Sequence, residues 1–250
     1  MRLSVCIPMF FAEIGLCEAI QKIAELGYDA CEAWNINDEA ELKDAAAACK
    51  KHDVEFLAIC TDCFNCTGGD EKAYLNGIRS AAEKAKVLGA KILISQVGAD
   101  TGAPKAQQHA NVVKCLRAAT PFLEKEGLTL VIEPLSRGAE QPAFFLSSSA
   151  EAFEIIKEVN SPHVKVLFDI YHQQKTEGNL IANITQNISF IGHLHAAGCP
   201  NRNELNKGEV NYTEIFSAID ATGYEGVCTL EYVPSLSPEE SLQLTKKLYQ

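Results

Sequence analysis

Residues 126–133 read EGLTLVIE, in which a glycine precedes an apolar run that closes on a carboxylate. Glycine in this position supplies the left-handed residue that commonly ends a helix. The apolar run after it has the length of a buried β-strand. A charge at the end of a buried strand costs free energy unless the group is paired. Glu133 therefore indicates that a functional site lies at the end of this strand.

The same order of helix, glycine and strand recurs through the whole chain. The sequences ELGYDA, VLGAKI and ATGYEG each place a glycine between a helix-like segment and a strand-like run. Strands are predicted at residues 3–7, 28–34, 54–60, 90–96, 128–133, 163–169, 189–195 and 226–232. Helices are predicted at residues 13–26, 38–51, 70–88, 105–125, 147–159, 176–186, 211–222 and 238–248.

Alternating strands and helices produce a parallel sheet. Eight such units in a chain of 250 residues match the usual size of a (β/α)8 TIM barrel. We therefore predict an α/β fold, a TIM barrel forming a single domain over residues 1–250. A doubly wound open sheet is the alternative, but no glycine-rich dinucleotide-binding turn follows the first predicted strand.

The composition limits the classes of partner. The formal net charge is -11, and so acidic a surface repels the phosphate backbone of nucleic acids. The first residues, MRLSVCIPMFF, lack the features of a signal peptide, and no apolar run approaches the ~20 residues of a membrane span. We expect a cytoplasmic protein that binds neither nucleic acid nor a membrane. Phe144 and Phe145 would provide either a contact surface for a homo-oligomer or part of the barrel mouth.

Four polar residues close predicted strands, namely Glu133, Asp169, His195 and Glu231. The active sites of TIM barrels lie at the carboxyl ends of the strands, where such residues meet. Three carboxylates and one imidazole form a ligand set suited to one divalent cation. His193, two residues before His195 on the same face, is expected deeper in the interior.

Side-chain alternation tests this arrangement, since residues two apart share a face of a strand. Val131 shares a face with Glu133, and Leu167 shares one with Asp169. The opposite face carries large apolar residues suited to packing against helices. These residues are Leu130, Ile132, Val166, Phe168, Phe190, Leu194 and Leu230.

Glu133 and Glu231 are the predicted catalytic pair, because they approach a central metal from different strands. Two carboxylates can remove a proton from one carbon and return it to the next, while a metal stabilises the enediolate. The alternative is a set of buried salt bridges to lysine or arginine. Few basic residues lie near these strand ends in the sequence, which favours the catalytic interpretation.

Four further residues are candidates for substrate binding. His172, expected in the loop after Asp169, would be a second metal ligand, a donor to a substrate oxygen or an exposed loop histidine. Arg202, in the loop after the seventh strand, would bind a substrate carboxylate or hydroxyls or remain at the surface. Glu32 and Trp34, at the end of the second strand, would face the site or pack at the mouth.

Cys60, Cys63 and Cys66 form a C-x2-C-x2-C sequence. This spacing occurs in iron–sulfur ligation, where a fourth cysteine normally follows closely. The next cysteine here is Cys115. We therefore favour small, soft residues around a strand end, with a cluster as the alternative.

Several motifs resemble the hydroxypyruvate isomerases and, more widely, the sugar isomerase/epimerase superfamily of xylose isomerase-like TIM barrels. They are VIEPLS, FDIYHQQKTEGNL, IGHLHAAGCPNRNE, GEVNY and GYEGVCTLEYVP, within about residues 128–235. The resemblance implies a TIM barrel with one divalent metal, Mg or Mn before Co or Zn. It implies metal ligands at Glu133, Asp169, His195 and Glu231, with the two glutamates as the acid–base pair. His172 and Arg202 fall at positions similar to the family's substrate contacts.

The implied reaction is an aldose–ketose type isomerisation of a small hydroxy-carbonyl acid or sugar through a cis-enediolate. The chain departs from the hydroxypyruvate isomerase branch, which tends to have glutamine at the position of His195 and lysine at that of Val233. Because the histidine is similar to that of ketose 3-epimerases, an epimerase is the alternative. A non-catalytic metabolite-binding barrel is the alternative from a different class. Metal-dependent AP endonucleases share the barrel but need more histidines and a basic face.

Overall fold

The structure, a computed structural model, describes residues 1–62, 65–137 and 144–249. Eight parallel strands form a closed barrel in sequence order, and the first strand pairs with the eighth. The predicted α/β TIM barrel is confirmed. The strands are β1 Arg2–Cys6, β2 Ala30–Ala33, β3 Glu55–Cys60, β4 Ile92–Ser95, β5 Thr129–Ile132, β6 Val164–Asp169, β7 Ile191–Ala196 and β8 Val227–Leu230.

The described residues contain ten α-helices, where the sequence predicted eight. They are α1 Ile7–Phe10, α2 Leu16–Glu25, α3 Glu39–His52, α4 Glu71–Leu88, α5 Lys105–Glu126, α6 Ser149–Val159, α7 Ile170–Thr176, α8 Leu180–Gln186, α9 Tyr212–Ala221 and α10 Pro238–Tyr249. The additional helices are α1, a single turn after β1, and α7, which begins directly after β6.

The predicted helix over residues 176–186 is wrong at its start. Gly178 and Asn179 both have left-handed backbone conformations, with φ of 63° and 49°, so they separate α7 from α8. Asp169 starts α7 early, because its side chain accepts hydrogen bonds from the backbone N–H groups of Tyr171 and His172. A cap of this kind satisfies donors that have no partner within the helix. His172 therefore lies on a helix and not in a loop.

Other predicted helix ends agree with the structure. Asp38 caps α3 through its side chain, and Gly89, Gly127 and Asn160 follow α4, α5 and α6 in left-handed conformations. Each left-handed residue turns the chain out of the helix and back toward the sheet. The glycines between predicted helices and strands thus have a direct structural role.

The two faces of the strands have separate partners, as side-chain alternation predicted. The outward residues join the large core between the strands and the helices, and among them are Leu130, Ile132, Val166, Phe168, Leu194 and Leu230. A second, smaller apolar cluster, which includes the inward-facing Val131 and Leu167, is what we call the barrel floor. It consists of Ala30, Leu57, Ala58, Ile94, Val131, Leu167 and Val227. The polar strand ends lie above this floor, toward the carboxyl end of the barrel.

In the described ranges, no helix is both long enough and apolar enough to cross a lipid bilayer.

Candidate metal centre at the barrel mouth

The four strand-end residues come together at the carboxyl end of the barrel. One potential ligand atom from each of Glu133, Asp169, His195 and Glu231 lies within 4.8 Å of the other three. All four residues are buried. They follow or end four consecutive strands, β5 to β8, so closure of the barrel brings them to one centre. The sequence anticipated this meeting from the shared edge of parallel strands alone.

The donor atoms fit a divalent cation. His195 Nδ1 is buried and has no hydrogen-bond partner among the described residues. It lies 3.6 Å from Glu133 Oε1 and 3.4 Å from Glu231 Oε2. A buried nitrogen without a partner is costly, and a cation would remove that cost. Ligands of a small divalent cation lie roughly 3 Å apart when they are neighbours and roughly 4 Å apart when they are opposite, so these separations need little change.

The carboxylate of Asp169 is oriented by the helix that follows it. Its Oδ1 accepts hydrogen bonds from the backbone N–H groups of Tyr171, at 2.7 Å, and His172, at 3.2 Å. The other oxygen, Oδ2, lies 3.7 Å from His172 Nε2 and 4.0 Å from Arg202 Nη2. One oxygen thus caps α7, and the other is left for the centre.

The two glutamates have different neighbours. Glu133 Oε2 accepts a hydrogen bond of 3.1 Å from the side-chain amide of Gln96. Glu231 Oε1 accepts one of 3.0 Å from the indole N–H of Trp34, and Glu231 Oε2 forms an ion pair with Arg202. Burial raises the pKa of Glu231, but the charges of His195 and Arg202 outweigh it and hold that pKa below its ordinary value.

Arg202 reaches the centre from the loop after β7, as predicted. Its backbone is left-handed, with φ of 55°, and its Nε donates to the backbone oxygen of Glu231 at 3.3 Å. The guanidinium carbon lies 5.2 Å from the centre of the Tyr171 ring, a cation–π arrangement. The same Glu231 Oε2 faces His195 Nδ1, so a cation bound there would compete with Arg202 for this oxygen. The sequence indicated few basic residues near the strand ends, but this one pairs with Glu231.

His172 is buried on α7, which excludes the exposed loop position considered in the sequence. Its Nδ1 accepts a hydrogen bond of 3.2 Å from the backbone N–H of Ser136. A neutral imidazole that accepts through Nδ1 carries its proton on Nε2. His172 Nε2 is therefore a donor at the edge of the centre, near Asp169.

Glu32 lies next to His195, one of the four residues of the centre. It is 1% exposed and lies beside the histidines of β7, and it does not line the cavity that the structure describes. Its Oε1 is 2.9 Å from His195 Nε2, and its Oε2 is 2.8 Å from His193 Nε2. Thr229 donates a further hydrogen bond to Oε2 at 2.9 Å. The prediction that His193 lies deeper in the interior is confirmed, since it is fully buried.

A cavity of about 390 Å³ opens above the centre, within the size range of small-molecule sites. Its lining mixes the proposed ligands with neutral hydrogen-bonding groups and apolar walls. The lining residues are Trp34, Asn35, Cys60, Thr61, Gln96, Glu133, Leu135, Ser136, Phe144, His172, Arg202 and Glu231. Trp34 lies in the predicted position at the wall, and Phe144 lines the mouth, whereas Phe145 is buried.

Sequence reasoning missed Gln96 and Ser136. Gln96 carried a usable signal, because it closes the apolar run ILIS just as Glu133 closes its own strand. Ser136 carried none, since its contact with His172 depends on how the loop after β5 folds back. The structure describes two of the three cysteines in the C-x2-C-x2-C sequence. Cys60 lines the cavity and Cys66 is buried, while Cys63 lies outside the described residues.

The sequence is similar to those of known proteins. A family model described as xylose isomerase-like TIM barrel matches residues 20–248. The hydroxypyruvate isomerase of Escherichia coli K12 is 32% identical over 252 residues, covering 97% of this chain and 97% of that protein. The 2-oxo-tetronate isomerase of Cupriavidus necator is 34% identical over 169 residues, covering 66% of this chain and 64% of that protein.

Solved structures agree on the architecture. A protein of Brucella melitensis described as an AP endonuclease of family 2 matches with a TM-score of 0.91 at 25% identity, over 98% of both chains. The D-psicose 3-epimerase of Clostridium cellulolyticum H10 matches with a TM-score of 0.83 at 17% identity, over 100% of this chain and 98% of that one. At that lower identity the similarity is one of fold.

Proposed function

The chain belongs to the xylose isomerase-like TIM barrel family and is an isomerase, and we propose that it acts on a small hydroxy-carbonyl acid or sugar with one divalent metal ion. The observation that carries the proposal is the convergence of Glu133 and Glu231 on the unpaired Nδ1 of His195. Two carboxylates that meet at one centre provide both the acceptor and the donor of a proton.

Glu133, Asp169, His195 and Glu231 would hold the metal, for which Mg or Mn suits the three carboxylates and Co or Zn the imidazole. When bound, such a cation would polarise the substrate's carbonyl and hydroxyl oxygens and stabilise negative charge on them.

The side chains move and guide the proton. One glutamate removes a proton from the hydroxyl-bearing carbon beside the carbonyl and gives a cis-enediolate, and the second glutamate returns a proton to the former carbonyl carbon. The hydroxyl proton passes to the former carbonyl oxygen, so that the carbonyl moves by one carbon. Gln96 and Trp34 hold the two carboxylates in place through their hydrogen bonds. His172 Nε2 and Arg202 provide donors to substrate oxygens from the cavity wall.

Hydroxypyruvate and 2-oxo acids of four carbons are the substrates we favour, because both curated relatives are isomerases of such acids by name. Arg202 offers a cation to their carboxylate. The ketose 3-epimerase remains the second candidate, because His195 replaces the glutamine typical of the hydroxypyruvate isomerase branch.

Metal-stripped protein reloaded with Mg²⁺ or Mn²⁺ and incubated with hydroxypyruvate in D2O tests the proposal. We expect metal-dependent product that carries deuterium at the receiving carbon, followed by NMR, because a carboxylate proton exchanges with solvent. Glu151→Gln is the matched control, since Glu151 contacts a histidine on the outer helices and should leave turnover unchanged. Product without deuterium, or activity independent of metal, would contradict the mechanism.

Free ketoses in the same assay separate the isomerase from the epimerase. An isomerase moves the carbonyl to the neighbouring carbon, whereas a 3-epimerase inverts one carbon and keeps the carbonyl in place. Turnover of neither class, with metal bound, would overturn both candidate substrates.

That the protein does not bind nucleic acid is still a prediction. The description of the Brucella protein makes an oligonucleotide with an abasic site a useful third substrate. Because the net charge of -11 opposes phosphate binding, we expect no cleavage and no binding in gel shift at physiological salt. A homo-oligomer and a cytoplasmic location likewise remain predictions, for which sedimentation and fractionation are the measurements.

A further inference from the structure

Glu32 is a fully buried carboxylate beside the candidate metal centre, and its described polar contacts are with three residues. Its Oε1 is 2.9 Å from His195 Nε2, and its Oε2 contacts His193 Nε2 at 2.8 Å and Thr229 Oγ1 at 2.9 Å. Glu32 and these three partners are at most 2% exposed. A charge so deep is retained at a cost unless it has a function or close partners.

The contact with His195 joins two atoms that lack any other hydrogen-bond partner among the described residues. Glu32 Oε1 and His195 Nε2 are both buried and otherwise unpaired. Their separation of 2.9 Å is that of a hydrogen bond, although the ring N–H is poorly aligned with the oxygen. Because buried polar atoms are nearly always paired, each is the available partner of the other.

This contact determines which nitrogen of His195 faces the metal centre. A histidine that ligates a cation is a neutral imidazole, which has one N–H and one lone pair. If Nε2 donates to Glu32, the lone pair is on Nδ1, which is the atom beside Glu133 and Glu231. Carboxylates that accept from a ligating histidine fix its tautomer and ring orientation and strengthen the metal bond.

His193 and Thr229 complete the arrangement from below. Both bind Glu32 Oε2, so they hold the carboxylate while its other oxygen remains directed at His195. His193 and Thr229 also contact each other at 3.1 Å. The four residues come from β2, β7 and β8, three strands that surround one side of the barrel interior.

We propose that Glu32 is a positioning residue that orients His195 Nδ1 toward the metal, rather than a substrate contact. The proposal rests on the metal site of the proposed function. It assigns the pair of histidines on β7 two separate tasks: His195 binds the cation, and His193 fixes the carboxylate that orients His195.

Calorimetric titration with Mn²⁺, without substrate, tests the proposal in the full-length metal-stripped protein. Glu32→Gln keeps the size of the side chain and removes its charge. We expect the dissociation constant for Mn²⁺ to rise about 10- to 100-fold. Glu151→Gln is the matched control, because Glu151 contacts His109 at 2.6 Å away from the barrel mouth. It should leave Mn²⁺ affinity unchanged.

The melting temperature of each metal-free variant separates positioning from a structural role. A purely structural Glu32 would lower the melting temperature and leave the Mn²⁺ affinity of the folded protein intact, and that result overturns the proposal. Wild-type protein that binds no Mn²⁺ overturns both the metal site and the proposal. Wild-type binding with an unchanged constant in Glu32→Gln overturns the proposal alone.

A measurement on the unmutated chain covers the case in which Glu32→Gln does not fold. In protein loaded with Zn²⁺, which is diamagnetic, long-range ¹H–¹⁵N spectra report which imidazole nitrogen carries hydrogen. We expect His195 to carry it on Nε2, with the signal assigned from its loss in His195→Gln. A hydrogen on Nδ1 overturns the proposal.

Discussion

The two glutamates of the site hold equivalent positions after β5 and β8, yet their surroundings differ in charge. On what we call the Gln96 side, Glu133 accepts one hydrogen bond from a neutral amide. On the Arg202 side, Glu231 accepts from the Trp34 indole and pairs with the Arg202 guanidinium. Strand geometry therefore sets where the carboxylates lie, whereas the loops after the strands set their electrostatic environment.

The largest expected effect comes from exchanging each carboxylate for an amide. In Glu133→Gln and Glu231→Gln, we expect turnover to fall about 10²- to 10⁴-fold, since each loses one proton-transfer group. Incubation in D2O then distinguishes the sides. A variant that still exchanges the substrate's carbon-bound hydrogen without forming product retains the base. The substituted glutamate is then the acid that returns the proton.

Turnover within about tenfold of the wild type in either variant would break the comparison. One side alone would then carry the chemistry, and the two-carboxylate mechanism would be wrong.

Arg202→Met tests the charge of the Arg202 side. It should lower the catalytic efficiency and raise the affinity for Mn²⁺. The catalytic efficiency should fall about 100-fold, because the charged hydrogen bonds to substrate are lost. Mn²⁺ should bind several-fold more tightly, because the guanidinium no longer competes for Glu231 Oε2. Calorimetry and steady-state rates measure the two quantities. Weaker metal binding would show that Arg202 supports the centre instead of competing with it.

The loop that carries Arg202 also carries Glu204, whose contribution to the stability of the protein depends on pH. Glu204 is buried and accepts hydrogen bonds from Ser235, Leu236 and Ser241. Burial raises the pKa of Glu204, but these hydrogen bonds outweigh it and lower the pKa to about 2. Because the folded pKa lies below the unfolded one, the stabilisation is complete above about pH 4.3 and is lost as the pH falls toward 2.

We expect the free energy of unfolding to drop by about 2 kcal/mol from this group between pH 5 and 2. Urea titrations of wild type and Glu204→Gln measure it as the difference between their pH profiles. Parallel profiles would mean that Glu204 does not anchor the loop.

The smallest expected effect concerns the neutral donors. Trp34→Phe keeps the wall and removes the hydrogen bond to Glu231, and Gln96→Met does the same for Glu133. We expect each to lower turnover about threefold to tenfold, the scale of one hydrogen bond. A larger loss for Gln96→Met would sharpen the contrast, since Glu133 has fewer other partners to hold it. Equal melting temperatures would show that the effects are local.

Much of the fold followed from local pattern. Residues 128–133 show an apolar run, a preceding glycine and a closing carboxylate, and all three features have their predicted positions. The helix count failed at α1, the single turn after β1, and again at residues 170–186, where Asp169 serves both the centre and the start of α7. From the sequence, Asp169 was interpreted only as a metal ligand and not also as a helix cap. The start of α7 was therefore not predicted.

The candidate site was predictable to the extent that it depends on strand ends. Glu133, Asp169, His195 and Glu231 each close an apolar run, and closure of a parallel barrel must bring such ends together. The position of Glu32 was not predictable in this way. A register shift between Cys31 and Glu32 changes the relation of β2 to its neighbour, and alternation along one strand does not reveal such a shift.

The sequence by itself determined the barrel and the four polar residues that close β5 to β8, because both follow from the periodicity of single segments. Only the tertiary structure decided which oxygen meets which donor. Glu32 and His193 are 161 residues apart, and Trp34 and Glu231 are 197 apart. Contacts over such separations depend on barrel closure, register and side-chain packing, and these arise only when all eight strands are in place.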